Sequence, residues 1–229
     1  MNDFSRTERL IGSENLNILK NANVCLFGVG GVGGFTAEAL IRSGIGKLTV
    51  VDCDKVAPSN VNRQIIATNS TMGEDKVQAV KQRLLDINPD AQITAINLFY
   101  LPESADQIDL TKFDYVIDAI DNVTAKLELI KRCNKDKIKI ISCMGTGGKV
   151  CPEKLTVTDI YKTNGCPLAR VMRNELNVLG IQKLKVVYSP EEAKGGGRPP
   201  ASMIFVPATA GLLLARTVVF DLIEKGETK

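Results

Sequence analysis

A short apolar run, Val24-Cys-Leu-Phe27, passes directly into Gly28-Val-Gly-Gly-Val-Gly33 and then into a helical pattern over 35–42, stopped by Ser43-Gly44. A wholly apolar run of this length suits a parallel strand buried on both faces. Small residues between strand and helix let backbone N–H groups approach a phosphate at the helix N-terminus. The pattern repeats along the chain. Strands are expected at 48–51, ending at Asp52, at 91–98, at 115–117, ending at Asp118, and at 138–143. Helices are expected at 73–88, stopped by Pro89, and at 123–135. Strands alternating with helices imply right-handed βαβ units. The fold class is therefore α/β, a Rossmann-like, mostly parallel sheet flanked by helices.

Both ends of the chain depart from this alternation. Ser5-Arg-Thr-Glu8 has the capping-box pattern and predicts a helix over 5–20. After Gly145-Thr-Gly-Gly148 the spacing predicts strands at 155–158 and 184–188 with a helix at 167–179 between them, a C-terminal extension of strands and helix. Gly195-Gly-Gly-Arg-Pro-Pro200 is too rich in Gly and Pro for regular structure and predicts a mobile surface loop. Residues 201–215 carry no charge. That stretch is shorter than the roughly 20 residues a spanning helix needs. Pro207 interrupts it and Arg216 closes it, so buried structure is expected rather than a membrane segment. No long linker divides the chain. One domain over 1–229 is expected, with a nucleotide-binding core at 1–145 and a substrate and interface region at 146–229. Residues 1–9 are polar and no apolar stretch follows, so no secretory signal and a cytoplasmic location are expected.

Composition narrows the chemistry. With 229 residues, 44% of them apolar, the chain can build a real core. A formal charge of +3 excludes a strongly basic nucleic-acid-coating protein but not a local basic patch. There is no histidine, which removes Ser-His-Asp and Cys-His nucleophile pairs and histidine metal ligation. The six cysteines, at 25, 53, 133, 143, 151 and 166, form no Cys-x-x-Cys pair, so a structural zinc site is not expected, and without a secretory signal neither are disulfides.

The glycine turn (Gly28, Gly30, Gly31 and Gly33) and Asp52 at the end of the second strand suit a dinucleotide or ATP, the aspartate accepting from a ribose hydroxyl. Those residues do not separate the two. Asn60-Val-Asn-Arg-Gln64 tilts the balance. Hydride transfer leaves the cofactor phosphates intact and needs no arginine there. An enzyme that breaks an ATP phosphate bond does. Attack of a carboxylate on an α-phosphate gathers negative charge from two anions, which Arg63, Lys76 and a metal ion can stabilise. The attacking carboxylate is already ionised at neutral pH, so such a step tolerates the lack of histidine.

Gly28-Val-Gly-Gly-Val-Gly33, Val51-Asp-Cys-Asp54, Ser59-Asn-Val-Asn-Arg-Gln64, Gly73-x-x-Lys76 and Asp118-Ala-Ile-Asp-Asn122 occur in one order with close spacing. Together they resemble the ubiquitin-activating-enzyme-like superfamily of adenylating enzymes over roughly 5–145. The resemblance implies that Gly31 backs the phosphates, Asp52 holds the ribose, and Ser59, Asn60 and Arg63 reach the phosphates. It further implies that Lys76 neutralises the α-phosphate and that Asp121 holds Mg²⁺. Asp54, Gln64 and Asn122 complete the expected ATP contacts. It also implies a homodimer in which Arg9 from one subunit completes the partner's site.

Phe4-Ser-Arg-Thr-Glu-Arg-Leu-Ile-Gly12, the segment 63–65 and the stretch 160–189 look most similar to the tRNA threonylcarbamoyladenosine dehydratases within that superfamily. This implies ATP-dependent adenylation of the threonine carboxylate of the modified nucleoside, then cyclisation with release of AMP and pyrophosphate. The alternative is an adenylyltransferase that activates the C-terminus of a ubiquitin-like sulfur-carrier protein. The resemblance leaves room for a sulfur-transfer or redox partner protein. A tRNA substrate needs basic residues. The candidates are Lys126, Lys131, Arg132, Lys135, Lys137, Arg170, Arg173, Lys183, Lys185 and Arg198. Cys166, before Pro167-Leu168, suits either an unreactive thiol at a helix start, the preferred reading, or a reactive thiol that accepts an acyl or sulfur group.

Overall fold

The computed structural model describes residues 4–197 and 200–224. Seven strands form one sheet: β1 (Asn23–Phe27), β2 (Lys47–Asp52), β3 (Gln92–Asn97), β4 (Tyr115–Asp118), β5 (Ile140–Cys143), β6 (Thr156–Asp159) and β7 (Lys185–Tyr188). Their order is β3-β2-β1-β4-β5-β7-β6, and every neighbouring pair is parallel except the edge pair β7–β6. The chain winds outward from β1 through β2 to β3, then returns to place β4 on the other side of β1. Connections therefore diverge between β1 and β4, and a crevice opens at the carboxyl ends of those strands, where open α/β sheets bind ligands.

Among the described residues seven α-helices accompany the sheet: α1 (Ser5–Ile11), α2 (Ser13–Asn21), α3 (Gly33–Arg42), α4 (Lys76–Ile87), α5 (Val123–Lys135), α6 (Pro167–Val178) and α7 (Phe205–Ile223). The alternation of β1 shows why the central strands are apolar throughout. Val24 and Leu26 enter a core with Leu40, Ile41, Leu214 and Val218 from α3 and α7. Cys25 and Phe27 point to the opposite core, with Leu129 and Cys133 of α5. A third cluster joins Ile130 of α5 to Met172 and Leu176 of α6 and Val186 of β7.

Three expectations change. The helix expected over 5–20 is two helices, broken where Gly12 takes φ 85° and ψ 157°. The capping box does not form, because Phe4 occupies the N-cap position and Ser5 is already helical. The uncharged stretch is not interrupted at Pro207 or closed at Arg216 but belongs to the 19-residue α7. Pro207 sits in the first turn, where its missing N–H costs no intrahelical bond. Arg216 lies within the helix with its guanidinium 4.8 Å from the Phe220 ring centre. The mean hydropathy of α7 reaches 1.6, enough by length and composition to cross a membrane, yet 61% of that window is buried inside the fold. It is the core helix against α3, linked by the Thr36 hydroxyl donating to the Gly211 carbonyl at 3.1 Å.

Candidate functional site

The turn after β1 is built around two glycines that sterics require. Gly28 has φ +85°, and a Cβ there would lie 2.6 Å from the Ala119 carbonyl oxygen beyond β4. A Cβ on Gly33 would lie 1.8 Å from the Gly28 oxygen. Gly30 and Gly31 are different. A Cβ on Gly31 would meet the Arg63 Cγ at 3.3 Å and Pro207 at 3.4 Å, and one on Gly30 only the Gln64 amide nitrogen at 3.7 Å. The outer side of the turn therefore faces the arginine loop and the start of α7.

Asp52, at the end of β2, is held by two backbone donors. The Val29 N–H reaches one carboxylate oxygen at 2.8 Å and the Asp54 N–H the other at 2.9 Å. The carboxylate is thereby fixed beside the glycine turn with lone pairs left for a diol. Asp54 instead receives Lys76: the ammonium lies 2.7 Å from its carboxylate, with the lysine side chain 6% exposed and the aspartate 64%. The Lys76 amide also donates to the Asp54 carbonyl at 2.9 Å. This pairing parks a nearly buried cation at the start of α4.

The loop after β2 supplies the next group. Asn60 is buried, and its side-chain oxygen accepts from the Ala57 N–H at 3.0 Å, closing the turn. One terminal nitrogen of Arg63 donates to the Ser59 carbonyl at 2.8 Å and the Asn62 side-chain oxygen at 3.0 Å. Its other donors are left for an anion. Ser59 is exposed. Gln64 is buried, and its side-chain oxygen has no hydrogen-bond partner among the described residues. An orphaned polar atom beside a glycine turn marks space for a polar ligand.

After β4, Asp118 is fully buried. It pairs with the equally buried Lys126 at 2.9 Å and accepts from the Ser142 hydroxyl at 2.5 Å and the Ile120 N–H at 3.1 Å. Asn122 caps α5, accepting from the Ala125 N–H at 3.0 Å. Asp121 between them is exposed and makes no ion pair among the described residues. Asp52, Cys53 and Asp54 also bring three potential metal-ligand atoms within 4.8 Å. Their carboxylates already hold backbone N–H groups and Lys76. Burial and the two neighbouring carboxylates push the Cys53 thiol up, so no activated thiolate lies beside the turn.

The structure thus gathers Gly28, Gly30, Gly31, Gly33, Asp52, Asp54, Ser59, Asn60, Arg63, Gln64, Lys76, Asp121 and Asn122 around the carboxyl ends of β1, β2 and β4. Arg9 is not among them. It is exposed on α1 with no side-chain ion pair or hydrogen bond among the described residues.

Of the basic residues expected to form an RNA surface, the structure withdraws Lys126. Lys126 is fully buried against Asp118. Arg132 bridges Asp106 and Glu128 at 2.6 Å each, Lys185 holds Asp221, and Arg173 donates to the Thr163 carbonyl at 3.0 Å. Lys131 lies 3.6 Å from Glu128. Lys135 ends α5 and Lys137 follows it, away from the carboxyl ends of the strands. Arg170, in the first turns of α6, is exposed near that edge; Lys183 is exposed at the other. Arg198 lies outside the described residues. Cys166 is buried at the start of α6. Sequence reasoning missed Asn62 and the start of α7 as walls of the site. Asn62 lay inside the motif already singled out; nothing local signalled α7.

Comparison with known proteins agrees with this geometry. The ThiF family model matches residues 4–180. The tRNA threonylcarbamoyladenosine dehydratase of Bacillus subtilis is 42% identical, covering 100% of this chain and 98% of its own length. Crystal structures of the Escherichia coli tRNA N6-threonylcarbamoyladenosine dehydratase superpose with TM-scores of 0.93 for a complex with AMP and 0.92 for one with ATP. Their identities are 33% and 34%, with at least 97% of this chain and 94% of theirs covered. The Escherichia coli molybdopterin-synthase adenylyltransferase is more distant, 33% identical over 54% of this chain and 49% of its own.

Proposed function

The chain belongs to the ThiF family, and from that premise we propose how its residues carry out the reaction. The protein is an ATP-dependent tRNA-modifying dehydratase. It adenylates the threonine carboxylate of threonylcarbamoyladenosine in tRNA and cyclises the product, releasing pyrophosphate and AMP. The observation that carries this reading is the convergence of the glycine turn, Asp52, Arg63 and Lys76 on one crevice.

In the first step a carboxylate oxygen attacks the α-phosphorus and the bond to pyrophosphate breaks. Asp52 holds the ribose, the glycine turn backs the phosphates, and the free donors of Arg63 stabilise the developing charge. Lys76 exchanges its contact with Asp54 for the α-phosphate. Asp121 would hold Mg²⁺. One carboxylate plus substrate phosphates is a donor set that this ion accepts. When bound, the ion neutralises phosphate charge. In the second step the carbamoyl group attacks the activated carbonyl, gives up its N–H proton to water or the departing phosphate, and closes the ring as the bond to AMP breaks. Such intramolecular attack reaches effective molarities of roughly 10⁵ M or more, so neither a general base nor an enzyme thioester is needed.

The reading includes a homodimer with Arg9 acting in the partner's site. Support comes from α1, which has no buried residue and leaves Leu10 83% exposed. The otherwise buried α7 likewise exposes Phe205 and Leu212, with Met203 and Ile204 just before it. Residues 146–229 then serve as the substrate and interface region, with Arg170 an exposed basic group there. The reading also carries a cytoplasmic location and leaves room for a sulfur-transfer or redox partner protein.

Incubation with tRNA, ATP and Mg²⁺ should yield a nucleoside lighter by one water, with stoichiometric AMP. Nucleoside mass analysis checks it; AMP release only with a small carrier protein would overturn the assignment. Mixing inactive Arg9→Ala and Lys76→Ala subunits should restore part of the activity, because one of the two shared sites is then intact. No recovery despite demonstrated subunit exchange would place Arg9 outside the partner's site.

A further inference from the structure

Asn62 has no role in the mechanism above, yet it joins two parts of the molecule. Its side-chain oxygen accepts from the Arg63 guanidinium at 3.0 Å. Its amide nitrogen donates to the Ser202 carbonyl at 2.9 Å, across 140 residues of sequence. Ser202 follows Ala201, whose carbonyl accepts from the Gly148 N–H at 2.6 Å. The Gly148 carbonyl accepts in turn from the Lys194 N–H at 2.6 Å. Beside this crossing, the Lys149 ammonium donates to the Ser189 carbonyl at 2.6 Å, and Glu191 accepts from the Val150 and Cys151 N–H groups.

A continuous hydrogen-bonded path therefore runs from the arginine of the phosphate site to the segments that follow β5 and β7. Those segments carry no regular element over 189–197 and 200–203 and are tied down chiefly by these bonds. Asn62 is the one side chain in the path that bonds both the guanidinium and the crossing segment.

We infer that Asn62 is a positioning residue that couples Arg63 to the segment leading into α7, so that ATP in the phosphate site tightens a crossing segment that lies within the region, 146–229, proposed for the substrate. The inference rests on the adenylation reading. Its physical basis is that a ligand ordering Arg63 also orders Asn62, and through Ser202 and Gly148 the segment around Lys194. By linkage, the bound acceptor strengthens ATP binding by the same factor.

The test is limited trypsin digestion after Lys194 with and without ATP–Mg²⁺, alongside calorimetric ATP binding and KM values for ATP and tRNA. In the wild type, ATP should slow the cut about tenfold. Asn62→Ala should retain its fold by circular dichroism, lose most of that protection, and raise both KM values with a smaller change in kcat. Asn62→Gln, which keeps the amide, should restore part of the protection. A merely structural role would alter digestion equally with and without ATP. Wild-type protection and KM values in Asn62→Ala would overturn the coupling, as would a wild type that binds ATP without any slowing at Lys194. Failure of the wild type to bind ATP at all would instead overturn the adenylation reading.

Discussion

Asp121→Ala should leave the fold intact and slow cyclisation by about 10²-fold or more, the usual cost of removing a group that stabilises charge developing in the transition state. The side chain is exposed and carries no ion pair among the described residues, so its removal leaves no buried partner stranded. Threonylcarbamoyladenosine in tRNA should persist uncyclised with this variant, and AMP release should fall in parallel. Cys166→Ala is the control. The thiol is buried at the start of α6, and the acyl adenylate is itself the activated intermediate, so this variant should cyclise almost normally. Loss of cyclisation in Cys166→Ala with AMP formation preserved would disprove the second step as written. Near-wild-type turnover in Asp121→Ala would remove Asp121 from the reaction.

The largest stability effect is expected at Lys126. Its ammonium and the Asp118 carboxylate are both fully buried, 2.9 Å apart, and Asp118 also accepts from Ser142 and Ile120. Breaking a buried pair by removing one partner leaves an uncompensated charge and costs about 3–5 kcal/mol. At about 2–4 °C per kcal/mol for a chain of this size, Lys126→Met should lower Tm by about 6–20 °C. The double variant Lys126→Met with Asp118→Leu removes both charges and should recover part of that loss, limited because the Ser142 hydroxyl and Ile120 N–H lose their acceptor. Thermal unfolding by circular dichroism reads all three proteins. A single variant within about 1 °C of wild type would contradict the burial. The double variant concerns stability alone, because Asp118 ends the strand on which the Asp121 loop is mounted.

How much of this was legible depends on how far apart the interacting residues lie. Val24-Cys-Leu-Phe27 and the glycines after it identified the strand and turn, because strand burial and phosphate access each demand a residue type at a known spacing. Asp52 stands out in the same way, at the end of a strand, and Arg63 by its charge in the loop that follows. Lys126 was misread because it lies on a basic helix, and only the three-dimensional crossing of α5 over β4 puts it against Asp118. Gly12 breaks a pattern that was otherwise periodic enough to read as one helix. Pro207 was read as an interruption, although a proline in a first turn is permitted. The contribution of α7 to the site had no local signature, since Pro207 reaches Gly31 only through the fold.

That last contact bears on the order of assembly. The phosphate turn and its arginine lie in the first third of the chain, yet one wall of their crevice is Pro207, and the Asn62 tether spans 140 residues. The Thr36–Gly211 bond spans 175. During synthesis β1, β2 and α3 leave the ribosome long before α7 exists to cover α3, so the nascent chain holds an apolar face open until α7 has been made. Contacts so distant in sequence slow folding, because loop-closure entropy is lost before they form. The nucleotide crevice is thus among the last features to mature, and a stalled or truncated chain exposes the α3 face to aggregation.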